Sequence, residues 1–144
     1  MKKYLKYVAA VIIAAVSFGY FGYYYINKPK ESIARKEPDV IISPQKLLEE
    51  FTADEQAANA KYLDKIIEVS GKVASKNKSE SNKITILLDT GDPMSSVTCE
   101  LSPKETSKSS AVDEGSIIEV KGICTGMLSD IVLVDCIILS DLTD

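Results

Sequence analysis

The chain changes its hydrophobic period twice. From Tyr7 to Ile26 it runs 20 residues without a charge, YVAAVIIAAVSFGYFGYYYI. A helix of that length spans about 30 Å, the thickness of a bilayer's hydrocarbon core. Aliphatic Val8–Val16 comes first, and Tyr20, Tyr23, Tyr24 and Tyr25 follow, as in an aromatic belt at a membrane surface. Apolar residues all round the circumference predict a transmembrane helix rather than a core helix. Residues 27–43 keep no period, carry Pro29 and Pro38, and read as a tether. Seventeen extended residues reach at most roughly 55–60 Å.

At Ser43-Pro44 a helical period begins, with a hydroxyl N-cap and a proline at the first helical position. Leu47, Leu48, Phe51, Ala58 and Tyr62 then form one apolar face, predicting a helix over 44–62. Thr52 and Glu55 have the spacing of a capping box, so a break near Thr52 is expected. After Tyr62 the period becomes two. The predicted inward positions are Ile67, Val69, Gly71 and Val73, then Ile84, Ile86 and Leu88, then Val97, Cys99 and Leu101. Ile118, Val120, Gly122 and Cys124 follow, then Val132, Val134, Cys136 and Ile138. Ser75–Asn82 and Ser102–Gly115 are polar connections, the second with room for a short helix. Five such strands, with the longest link between the third and fourth, suit a small Greek-key barrel of the OB type. The predicted fold is mainly β: an N-terminal transmembrane helix, then one helix packed on a five-stranded OB-like barrel. Its divisions are 1–26 (anchor), 27–43 (tether) and 44–144, with helix 44–62 and barrel 63–140.

Charge sharpens the address. Residues 1–36 hold seven lysines and arginines against one Glu, whereas 44–144 hold ten lysines and no arginine against 18 acidic residues. Lys2, Lys3 and Lys6 precede the apolar run as in a signal anchor, although Lys28, Lys30, Arg35 and Lys36 on the other side bring the positive-inside count near a tie. The compact leading cluster favours a single-pass protein with a cytoplasmic N-terminus and a periplasmic domain. A cleaved signal peptide competes, with Val8–Val16 as its apolar region and Ala15 and Ser17 at the small-residue positions. No cysteine precedes Cys99, which disfavours a lipoprotein.

The chain has no histidine, which excludes Ser-His-Asp and Cys-His catalysis, His-ligated zinc and proximal-His haem. Ile86-Leu87-Leu88-Asp89-Thr90-Gly91 looks like the catalytic loop of retropepsin-type aspartic proteases, in which two subunits each supply a carboxylate. No glycine-rich flap accompanies it, and Asp-Thr-Gly is also ordinary turn chemistry. Cys99, Cys124 and Cys136 sit at inward positions as small apolar residues. They are expected as free thiols, with one disulfide of unassigned pairing as the alternative and no spacing that suggests a metal. A simple hairpin would put Cys124 opposite residue 132 and leave Cys136 some 13 Å further along. Glu49, Glu50, Asp54 and Glu55 make an acidic helix face, with Asp89 and Asp92 on a turn. They lack calcium-loop spacing and read as solvated.

The stretch Ala58–Val73 (ANAKYLDKIIEVSGKV), the later Gly115–Gly126 (GSIIEVKGICTG) and the closing Val132–Cys136 resemble the OB-fold family labelled tRNA-anticodon-like, found in bacterial, often Bacteroidetes, envelope proteins. The resemblance covers roughly 45–140. It implies a helix on a five-stranded barrel and brings no catalytic, cofactor or metal residue. The expected function is therefore a membrane-anchored extracytoplasmic binding or accessory module, not an enzyme, which meets lipid through residues 7–26 and an unidentified protein, peptide or small ligand through its barrel. Nucleic acid is the alternative ligand and is disfavoured. From Leu63 to Asp144 there is no aromatic residue to stack on bases, and eight lysines face 14 acidic residues. A homodimeric Asp-Thr-Gly protease is the second alternative.

Overall fold

The computed structural model describes residues 2–26 and 32–142, and the chain divides into two units, Met1–Glu31 and Ser32–Asp144. The first unit is one helix, α1 (Lys2–Ile26), which contains the whole uncharged run. Its aliphatic and aromatic side chains, from Val11 and Ile12 to Tyr24 and Tyr25, are exposed. Among the described residues, no helix is both long and apolar enough to cross a membrane. Part of the expected tether, 27–31, lies outside the described residues.

The rest of that tether belongs to the second unit, which corrects the expected boundary at 43. Ile33–Arg35 forms a 3-10 turn with Ile33 buried, and β1 (Val40–Ile42) pairs in parallel with the first barrel strand. Asp39 clamps the entry to that pair: its N–H donates to Ile66 O at 2.8 Å and its Oδ2 accepts from Ile66 N at 2.8 Å.

The expected single helix over 44–62 is two: α2 (Pro44–Ala53) and α3 (Glu55–Tyr62). Ser43 Oγ caps α2 by accepting from Lys46 N at 3.3 Å. The break falls at Asp54, whose carboxylate caps α3 through Ala57 N at 3.0 Å. Thr52 makes no capping box, because its hydroxyl donates back to the Leu48 and Glu49 carbonyls. Leu47, Leu48, Phe51, Ala58 and Tyr62 are buried as the helical period requires. The Phe51 and Tyr62 rings meet at 5.9 Å.

The barrel strands are β2 (Ile66–Lys78), β3 (Ile84–Asp89), β4 (Ser96–Leu101), β5 (Ile117–Met127) and β6 (Ile131–Asp141). Their order is β2-β3-β4-β6-β5, closed by β2–β5, with β4–β6 parallel and the other barrel pairs antiparallel. This is the five-stranded Greek-key closure of the OB fold. Besides β1, β2 serves two barrel neighbours, pairing with β5 through residues 66–72 and with β3 through 73–78. It therefore runs on through the predicted Ser75–Asn82 loop, which shrinks to a tight turn with Asn82 in the left-handed region.

The inward positions of β2 to β5 are as predicted. Those of β6 are not, for its first half. Ile131 and Leu133 are buried where Val132 and Val134 were expected, and Cys136 and Ile138 point inward as expected. One extra residue causes the change of phase. Three steps along β6, Leu133 to Cys136, oppose two along β4, and Asp135 takes a φ of 52°.

α2 and α3 plug the barrel end where β3 finishes and β4 and β6 begin. Pro44 lies so close over Gly71 that a Cβ there would sit 2.6 Å from Pro44 Cγ. The β4–β5 connection covers the other side with two 3-10 turns, Pro103–Glu105 and Lys108–Ala111, and buries Val112.

Candidate binding face

An OB barrel offers ligands the outer face of its second and third strands, between the loops that follow strands one and four. Here those strands are β3 and β4. The pairs Thr85–Glu100, Leu87–Thr98 and Asp89–Ser96 cross this face, and Val132 of β6 continues the middle row beside Thr98. All but exposed Asp89 are half-buried. The surface is thus a short stripe of apolar and hydroxyl groups with a carboxylate at each end, and no ring. At the edge near the β2–β3 turn lies a small cleft of about 150 Å³, lined by Asn82, Lys83, Ile84, Leu101, Ser102 and Thr106 among others.

At the opposite edge, the Asp-Thr-Gly string is folded into its own turn. Asp89 Oδ1 accepts from Gly91 N at 2.8 Å, Gly91 has a φ of 80°, and Thr90 Oγ1 accepts from Asp92 N at 3.3 Å. Asp92 Oδ1 in turn accepts from Met94 N at 2.8 Å. Asp130, from the β5–β6 turn, ties this end to β4 by accepting from Ser96 N and Oγ.

The helix acids disperse rather than converge. Glu49 pairs with Lys46 at 3.0 Å, Asp54 caps α3, and Glu50 accepts from both Lys61 Nζ and Tyr62 Oη at 2.7 Å. Those two hydrogen bonds, the lysine's first, hold the Glu50 carboxyl below its ordinary pKa. Burial pushes the Tyr62 phenol up. Among the described residues, no group of three His, Cys, Asp or Glu is placed to hold a metal.

The structure also gathers a polar cluster that linear spacing hides. Glu68 on β2 lies directly across from Lys121 on β5, and Ser70 across from Glu119. Lys121 is buried and donates to Lys36 O at 2.7 Å, holding the 33–36 turn against the barrel. Glu119 accepts from Ser140 Oγ at 2.9 Å. Desolvation first, and then the charge and hydrogen bond of Glu119, raise the Glu68 carboxyl above its ordinary range. A second concealed carboxylate is Glu105, which is buried and accepts from Ile138 N at 3.3 Å and pairs with Lys108 at 3.2 Å. The only local signal for either was a charged residue on a strand or two positions after a proline. Lys108 is a local i,i+3 partner, but the Ile138 contact of Glu105 and the cluster around Glu68 exist only once the barrel closes.

Cys99, Cys124 and Cys136 are all buried and are free thiols. Cys124 stands opposite Leu133, one residue on from the expected partner. Burial raises the pKa of the Cys124 thiol and, more strongly, that of Cys136.

Comparison with known proteins agrees with this geometry. The tRNA_anti-like family model matches residues 1–138. No curated protein matches the chain. Among solved structures, the chain is similar to a lipoprotein of Klebsiella pneumoniae for which nucleic-acid binding is conjectured. The TM-score is 0.58 at 15% identity, over 78% of this chain and 100% of that one. At this identity the likeness is one of fold. The Stn1-Ten1 complex of S. pombe aligns over 53% of this chain and 59% of its own, at 17% identity and a TM-score of only 0.42.

Proposed function

The chain belongs to the tRNA_anti-like family, and from that premise we propose that it is a non-catalytic OB-type binding module, tethered to a membrane through residues 7–26 with its barrel on the extracytoplasmic side. The observation that carries the tethering is α1 itself. Its exposed valines, isoleucines, phenylalanines and tyrosines run from Tyr4 to Tyr25. In water such a surface is unfavourable by about 25 cal/mol for each Å² of apolar area, and a bilayer removes that cost. Against it stands the finding that no described helix is long and apolar enough to cross. Carbonate extraction of membranes decides between them. The anchored protein stays in the pellet and is digested by added protease only after the outer barrier is opened. Release by carbonate, or digestion from the cytoplasmic side, overturns the proposal.

The module reading rests on Glu49, Glu50, Asp54, Asp89 and Asp92 being committed to caps, turns and ion pairs, and on the two carboxylates of the stripe, Asp89 and Glu100, standing at its opposite ends rather than as a pair. We take its ligand to be a protein or peptide, because the stripe offers apolar and hydroxyl contacts without rings or paired charge. A second reading, single-stranded nucleic acid, is favoured by the fold likeness to the Klebsiella lipoprotein and by Lys78 and Lys83 flanking the β2–β3 turn. The unit Ser32–Asp144 suffices for the test, and a start at residue 38 would remove Ile33 and the Lys121 contacts. Fluorescence anisotropy with labelled single-stranded DNA and RNA at about 0.15 M salt separates the two. No binding is expected. A micromolar Kd that weakens steeply with added salt establishes the nucleic-acid reading instead.

A further inference from the structure

The three thiols are not equivalent once the barrel closes. Cys99 on β4 and Cys124 on β5 both stand opposite Leu133 of β6, one on each side of it. They are therefore two strand spacings apart, about 9.6 Å, too far for a disulfide. Cys136 lies further along β6, opposite Leu101, and the extra residue at Asp135 turns its side chain into the barrel. Its sulfur lies against Gly122, where a Cβ would overlap it, and after burial the neighbouring Cys99 thiol is the next cause that raises its pKa. Cys124 faces neither of the other two thiols across a strand pair, standing opposite Leu133 of β6. Cys99 and Cys136 are diagonal neighbours on adjacent strands. Such neighbours lie about 7–8 Å apart, somewhat beyond the roughly 4.4–6.8 Å that a disulfide spans, so closing the bond needs a backbone shift of about 1 Å, which the bulged stretch of β6 is placed to supply.

We propose that Cys99 and Cys136 are a disulfide-forming pair, oxidised by thiol–disulfide exchange with a small disulfide such as glutathione disulfide, while Cys124 stays a free thiol. One cysteine thiolate attacks a sulfur of the oxidant and expels one glutathione thiolate. The second cysteine then attacks the mixed disulfide and expels the other. Two cysteine thiols lose two protons and two electrons, and one glutathione disulfide becomes two glutathione thiols. Both cysteines are fully buried, so the exchange takes place before β6, the last strand of the chain, docks. In the folded reduced barrel, burial holds the Cys136 thiol protonated, which keeps the pair unreactive there. The bond would join β4 to β6, the parallel pair of the barrel, which no hairpin connects. The pairing does not depend on which side of a membrane the domain lies.

The test uses the full chain in detergent, unfolded under reducing conditions and refolded in a mixture of reduced and oxidised glutathione. Free thiols are alkylated before digestion with a protease that cuts ahead of aspartate. Cuts before Asp113, Asp130 and Asp135 put the three cysteines on separate peptides. Mass spectrometry is expected to find the Cys99 and Cys136 peptides linked and Cys124 alkylated, and Cys124→Ser is expected to keep the link. Closing a loop of roughly 37 residues should raise Tm by on the order of 10–15 °C, a gain lost on adding reductant. Alkylation of all three cysteines, a link that includes Cys124, or a link that leaves Tm unchanged or lower overturns the proposal.

Discussion

Adding one methyl group at Gly122 is a direct test of the β6 bulge. An alanine Cβ there would overlap Cys136 Sγ and would lie 3.1 Å from Leu133 Cβ and 3.3 Å from Val134 O, all three on the bulged stretch. Overpacking of this kind costs about 1–3 kcal/mol. Replacing glycine within a strand returns about 0.5–1 kcal/mol through the unfolded chain, so Gly122→Ala should destabilise by about 1–2 kcal/mol net. Cys136→Ala by itself removes one buried sulfur and should cost about 1 kcal/mol. The double variant should cost less than the sum of the two, by about 1–2 kcal/mol, because the alanine fills the space the sulfur leaves. It should still fall short of the wild type, since Leu133 and Val134 continue to crowd the new methyl. Urea unfolding of residues 32–144 followed by circular dichroism, in reducing buffer, measures all four corners of the cycle. Additivity within about 0.5 kcal/mol, or a stabilising Gly122→Ala, would show that Cys136 does not pack there and that the bulge is misplaced.

Glu105→Ala should cost about 1–3 kcal/mol in the same assay, because it strands the buried N–H of Ile138; a neutral result would mean that water or another group reaches that donor. Glu68 has its folded pKa raised by burial and by Glu119, so its contribution is fully present below the ordinary value of 4.5 and is lost as pH rises through the folded pKa. Glu68→Gln should therefore stabilise the domain at pH 7 and make no difference below about pH 4, as thermal melts across that range would record; destabilisation at pH 7 would mean that attraction to Lys121 outweighs both causes. Asp89→Asn keeps an oxygen for Gly91 N and should change stability by about 1 kcal/mol or less. Pepstatin-sensitive proteolysis lost on that substitution would establish the protease reading.

Much of the fold was legible locally. The helix start at Ser43-Pro44, the apolar helix face and the inward phase of four strands follow from side-chain periods that covalent geometry imposes on any helix or strand. The misreadings share a cause. Ile131-Val132-Leu133-Val134 is apolar at every position, so alternation carries no phase, and the Asp135 bulge shifts it unannounced. The Val40–Ile42 strand is three residues long and is held by Asp39 to a backbone 27 residues away. Locally, Thr52 reads as the cap and Asp54 only as part of an acidic face, whereas Asp54 caps α3 and the packing of Phe51 on Tyr62 accompanies that choice. Of the candidate binding face, the absence of aromatic rings was readable from composition. Which side chains form the stripe was not, because it crosses three strands.

By itself, the sequence determined the uncharged N-terminal run, the five barrel strands and the helical stretch before them with most of their buried faces, the acidic charge of the barrel and the absence of any histidine chemistry. Each of these is a property of composition or of residues a few positions apart, where the period of the backbone does the selecting. The tertiary structure alone decided that β2 closes on β5, that β4 lies parallel to β6, that the segment from Ser32 is strapped down by Lys121, and that Cys136 becomes a diagonal neighbour of Cys99 across β4 and β6. Those pairings join residues tens of positions apart. They are chosen by which closure buries the apolar faces of all five strands together while leaving backbone donors such as Ile138 N satisfied, a balance that no local stretch of the chain contains.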